Sequence, residues 1–176
     1  MIAKFYHSPM RKPLSLLMIV SILCFSFRTD QSVSVVLQAG TTIPLETVSV
    51  IRSNTITVGQ MIDFKVKYDI KVEDKIVIPA GSIAKGQVMR AQKAKGLGKA
   101  GFIEVQIKNV QSVDGQDIFL TGGNIYQEGE DKETLSIVLG ILVCILFLTM
   151  KGKDAEIAPG FQVEPVVAVN TTINVE

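Results

Sequence analysis

From Ile62 to Glu73 the chain reads IDFKVKYDIKVE: Ile62, Phe64, Val66, Tyr68, Ile70 and Val72 alternate with Asp63, Lys65, Lys67, Asp69, Lys71 and Glu73. A helix would scatter these apolar residues around its circumference. A strand points all of them to one side, so the stretch predicts a β-strand with one face buried and one in water. The outward face sets three acids against three lysines, the pattern of a solvated sheet surface with weak cross-strand ion pairs.

Neighbouring stretches repeat the same logic on a shorter scale. EDKIVI turns at Glu73 to Lys75 into an apolar strand, and IPAGSIAKGQVMRA crosses a second turn at Pro79 to Gly81 into another. In FIEVQIKNV, Ile103, Val105 and Ile107 oppose Glu104, Gln106 and Lys108, and Asp114-Gly115 predicts a tight hairpin returning through QDIFLTGG. No helical period is evident between Ser32 and Gln127. Three segments echo one another: VVLQAGTTIPL, IVIPAGSIAKG and AEIAPGFQVEP each place a glycine turn, at Gly40, Gly81 and Gly160, between apolar alternations. They predict one recurring β-corner, with glycine where the backbone needs a conformation costly to other residues.

Two apolar runs stand outside this pattern. PLSLLMIVSILCFSF, Pro13 to Phe27, follows Lys4, Arg11 and Lys12, so residues 1–32 are expected to be a secretory signal, whether cleaved, kept as an N-terminal anchor, or lipidated at Cys24. LSIVLGILVCILFLTM, Leu135 to Met150, carries no charge and would be about 24 Å long as a helix, short of a ~30 Å hydrocarbon core. Its expected membrane-contact residues are Leu135, Ile137, Leu139, Leu142, Ile145, Phe147 and Leu148. Beyond it, Phe161, Val163, Val167, Val169, Ile173 and Val175 supply apolar positions for closing strands, which would also protect the sheet edges. The fold class expected is therefore mainly β, a small barrel or sandwich of short antiparallel strands. Residues 33–134 form its main part, 135–150 an apolar, helical insertion that is membrane-associated or packed on the barrel, and 151–176 its closing strands. With both flanks in one domain, the insertion cannot make a single full crossing.

Charge and reactive residues narrow the function classes. Eighteen basic residues against seventeen acidic ones give no overall attraction to nucleic acid. The only histidine, His7, lies in the signal segment, and the only cysteines, Cys24 and Cys144, lie in apolar runs where a small buried hydrophobe is expected. No catalytic triad, metal site or cofactor site is expected, and the chain is read as a non-enzyme. KAKGLGKAG does match the spacing G-x-G-x-x-G at Gly96, Gly98 and Gly101. A dinucleotide site there requires a following helix, whereas FIEVQIKNV reads as a strand. The stretch is expected to be a mobile connection whose basic residues, Arg90, Lys93, Lys95 and Lys99, meet water, anionic headgroups or an acidic partner.

AGTTIPLETVSVIRSNTITVGQMIDFKVKYDIKVEDKIVIPAGSIAKGQV resembles the β-barrel domain of TrbI-type proteins, core-complex subunits of type IV secretion and conjugation machines. The likeness runs over about Ala39 to Gly122 and again over Glu156 to Val175, with IPAGS...G as its most specific element. It implies a barrel carrying an apolar projection toward the outer membrane of a Gram-negative bacterium, and assembly into a ring. The chain resembles a short, free-standing relative without a cytoplasmic region or a proline-rich stalk. The expectation is an exported envelope protein of the periplasm or outer membrane, partnered by membrane lipid, other envelope proteins or copies of itself, with a structural or assembly role. The alternative is a soluble periplasmic module that binds an anionic glycan or lipid.

Overall fold

The computed structural model describes residues 33–132, 136–137 and 151–175. The expected signal segment at 1–32 and nearly all of the expected membrane-contact residues lie outside the described residues; Ile137 is described and exposed.

The described residues form a mainly antiparallel β structure. Its strands are β1 (Val33–Leu37), β2 (Leu45–Thr47), β3 (Ile51–Arg52), β4 (Met61–Val66), β5 (Ile70–Val72), β6 (Lys75–Ile78) and β7 (Ile83–Gln92). They continue as β8 (Phe102–Gln111), β9 (Asp117–Thr121), β10 (Asn124–Glu128), β11 (Glu156–Ile157), β12 (Gln162–Val163), β13 (Val166–Val167) and β14 (Thr171–Val175). The main sheet runs β12-β2-β4-β7-β8-β9-β13, with β10 also on β8. Its first and last strands are separated by only Glu164 and Pro165, so the sheet curls until its two ends meet in one stretch of chain. Two smaller pairs, β1-β14 and β5-β6, pack on each other, and β11 pairs with β3.

Four tight turns organise this curl. Gln38–Thr41, Thr57–Gln60, Pro79–Ser82 and Ala158–Phe161 each close a hydrogen bond from the fourth residue's N–H to the first residue's carbonyl. In each the third residue is a glycine at positive φ: Gly40 at 86°, Gly59 at 87°, Gly81 at 85° and Gly160 at 77°. These are type II turns, whose third position excludes most side chains. Each glycine N–H then donates across to a strand seven residues beyond another such glycine. Gly40 reaches Val167 O, Gly160 reaches Thr47 O, Gly59 reaches Val88 O and Gly81 reaches Val66 O. The corners thus work as two reciprocal pairs, 38–47 with 158–167 and 57–66 with 79–88. The echo predicts three of them; the Gly59 corner is the fourth.

The barrel interior is one cluster. Leu37, Ile43, Leu45, Phe64, Val77, Ile78, Ile103, Val105, Ile118 and Ile173 are fully buried. Phe64 lies over Gly86, where a Cβ would sit 2.8 Å from Phe64 Cε2 and 3.0 Å from Val105 Cγ1. The missing side chain on β7 is the space the ring occupies.

The structure revises three expectations. The alternating stretch from Ile62 is not one strand but two, β4 and β5, broken at Lys67–Asp69. Its partner β7 begins after the Gly81 corner, which pairs with Val66, so the main sheet ends there; Asp69 then turns to accept the Ala80 N–H at 2.7 Å. Tyr68, at the break, is 59% exposed. Phe161 and Val169 are also exposed rather than core, the first leaving the Gly160 turn and the second in the bend between β13 and β14. Val167, Ile173 and Val175 are buried.

The Asp114-Gly115 hairpin joins β8 to β9, with Gly115 at φ 83°. The Asp114 carboxylate accepts from Ser112 Oγ, the Gln116 N–H and the Asn174 N–H, so it also ties the turn to β14. Partial desolvation pushes its pKa upward, but the donors to the charged form outweigh that and hold it below the ordinary carboxylate value.

Candidate functional site

The insertion starts and ends at one point of the barrel. Glu130 and Lys153 flank it, and the Lys153 N–H donates to Glu130 O at 3.1 Å. The described residues on either side of the apolar run thus lie side by side at its base.

KAKGLGKAG forms the seat of this exit. Lys132 N–H donates to Gly98 O at 2.8 Å, Gly129 N–H to Gly101 O at 2.8 Å, Gly101 N–H to Lys153 O at 3.0 Å and Gly152 N–H to Lys95 O at 3.4 Å. The Lys95 N–H closes the loop on Lys99 O at 3.0 Å. The Asp154 carboxylate fastens the far side, accepting from the Ala94 N–H at 2.8 Å and from Ser53 Oγ at 3.1 Å. The expected mobile connection is thus a hydrogen-bonded platform spanning three chain segments.

Glycine is required here by proximity more than by turn geometry. A Cβ on Gly129 would lie 2.1 Å from Lys153 O, one on Gly152 2.5 Å from the Lys99 carbonyl carbon, and one on Gly101 2.6 Å from Ser53 Oγ. The G-x-G-x-x-G spacing therefore reflects close backbone packing and a turn at Leu97-Gly98, with φ of 60° and 74°. Amides that a phosphate cradle would need, at Ala94, Lys95 and Gly101, already donate to protein acceptors.

The four basic residues divide. Lys93, Lys95 and Lys99 are exposed on the platform, Lys95 reaching only Gln92 Oε1. Half-buried Lys132 and exposed Lys151 lie beside them, and none of the five makes an ion pair within 4 Å among the described residues. Arg90 stands apart on β7, paired with Glu104 and 5.7 Å from the Phe102 ring. Phe102 in turn stacks with exposed Tyr126 at 6.3 Å between centroids. The hydrogen bond from Tyr126 to Glu128 raises the phenol's pKa, and the one from Lys153 to Glu130 lowers that carboxyl's.

The sequence pointed to the loop and to the insertion separately. It missed their junction, along with Gly129, Gly152 and Asp154. The signal available was the pair of glycines bracketing the apolar run, which short-range periodicity does not register.

A shallow groove of about 270 Å³ lies between Val48–Ile51, Ile56 and Gln60–Asp63, with Asp63 its only titratable lining residue. Among the described residues no group of three or more His, Cys, Asp or Glu side chains is placed to hold a metal ion, and no helix is long and apolar enough to cross a membrane. No family model and no curated protein matches the sequence.

Proposed function

We propose that this chain is a non-enzymatic, exported envelope protein, a TrbI-like barrel held at a membrane by Leu135–Met150. It serves as a structural or assembly element with lipid on one side and copies of itself or other envelope proteins on the other. The observation that carries this reading is the Glu130–Lys153 hydrogen bond at the base of an uncharged sixteen-residue run. An apolar excursion with both feet on one platform suits entry into a membrane from one side and return to it. The cationic platform supports the same reading, because lysine at the foot of an apolar segment sits at headgroup depth.

Fractionation tests it. The wild-type chain is expected to stay with the membranes after carbonate extraction, and a variant with Leu135–Met150 replaced by a short Gly-Ser turn to move to the supernatant with its thermal unfolding preserved. Release of the wild type would overturn the reading in favour of a soluble module with the apolar run packed on the barrel.

A further inference from the structure

Leu97 is the least expected residue of the platform. It occupies the left-handed region at φ 60°, which glycine adopts freely and a branched side chain only at a penalty. Nothing in the core recovers that penalty: the side chain is 42% exposed and lies outside the buried cluster. It stands between exposed Lys95 and Lys99, on a loop whose backbone is bonded to Lys132 and Gly152, the two feet of the apolar run. Six lysines, at 93, 95, 99, 132, 151 and 153, stand on or beside the platform with Glu128, Glu130, Asp131 and Asp154, and Glu133 follows Lys132 in the sequence. Of these, Lys93, Lys95, Lys99 and Lys151 are exposed and make no ion pair among the described residues.

We infer that this platform is a binding site for the phosphate-bearing headgroups of an anionic lipid surface. Leu97 enters below the headgroups, and Lys93, Lys95, Lys99 and Lys151 meet the phosphates. The inference rests on the membrane reading above and adds to it a lipid class and a second contact beside the insertion. An exposed apolar side chain among cations fits a surface with a charged layer over an apolar one. A dissolved phosphate would use converging amides instead, and those of Ala94, Lys95, Gly101, Lys132 and Gly152 are already engaged. Lysine brought to such a surface adds affinity that salt screens.

The test is flotation of the full chain with vesicles of phosphatidylcholine alone and of phosphatidylcholine with phosphatidylglycerol. Wild type should favour the anionic vesicles by about tenfold or more, a preference that falls as salt is raised. Joint replacement Lys93→Gln, Lys95→Gln and Lys99→Gln should abolish the preference while leaving binding to neutral vesicles through the insertion. Leu97→Gly separates a lipid contact from a structural role, since it relieves backbone strain. Thermal stability should hold or rise while vesicle binding drops several-fold. Equal wild-type binding to both vesicles, or unchanged binding of Leu97→Gly, would overturn the inference and leave the membrane reading standing. Displacement by inorganic phosphate at matched ionic strength would also overturn it, pointing to a free-anion site. Failure to bind either vesicle would overturn both.

Discussion

Phe64→Ala is expected to lower the stability of the barrel by about 3–5 kcal/mol, the range for removing a fully buried aromatic ring. Phe64 is completely buried on β4, opposite Thr47 on β2 and Ala84 on β7. Its ring covers Gly86, so nothing on β7 can move in to fill the space without backbone displacement. The partner substitution Gly86→Ala meets the same ring from the other side, with a Cβ 2.8 Å from Cε2, and should cost about 1–3 kcal/mol as overpacking. Because the two changes share one volume, Gly86→Ala in the Phe64→Ala background should cost less than it does alone. Denaturant unfolding of the four proteins measures that coupling. Additive losses would mean that the ring and the glycine do not form one packing unit.

Gly129→Ala is the second large effect, and it acts on the platform. The new Cβ would fall 2.1 Å from Lys153 O, a backbone atom, so the strand of chain entering the insertion must separate from the one leaving it. The bonds from Lys153 N–H to Glu130 O and from Gly101 N–H to Lys153 O lie in that strip. A cost of about 1–3 kcal/mol is expected, confined to the junction. Hydrogen exchange at the Lys132, Gly101 and Lys153 amides should accelerate by at least about tenfold, while amides of β4 and β7 keep their protection. Uniform acceleration across the barrel would show instead that the junction and the core unfold as one unit.

Period-two alternation made most of the core legible in advance. Phe64, Val66, Ile103, Val105 and Ile107 are buried because a strand has only two faces and these residues share one. Alternation does not specify a partner, however. The break after Val66 is imposed by the corner at Gly81, a residue that is distant from Lys67 in sequence and adjacent in space. The glycine turns were legible where similar residues framed them. Gly59, in ITVGQM, follows the same kind of short alternation, Ile56 and Val58, and was missed because the segment does not share the residues of the other three echoes.

The site was half legible. Its lysines and its apolar run stand out in composition, but the contacts of Gly129, Gly152 and Gly101 join segments tens of residues apart. Glycines chosen for close approach look the same in sequence as glycines chosen for turns. Arg90 shows the converse: it read as part of the basic loop, yet Glu104 on the neighbouring strand and the Phe102 ring hold it on the sheet.

The most direct measurement uses Cys144, which lies in the apolar run and, apart from Cys24, is the only cysteine in the chain. With Cys24→Ser in place, a polarity-sensitive fluorophore on Cys144 should shift its emission to the blue when the full chain meets anionic vesicles. Lipids carrying quenchers within the acyl chains should then quench it more strongly than lipids with quenchers at the headgroup. An emission spectrum that vesicles leave unchanged, with no quenching from either depth, would contradict the claim that Leu135–Met150 enters the membrane.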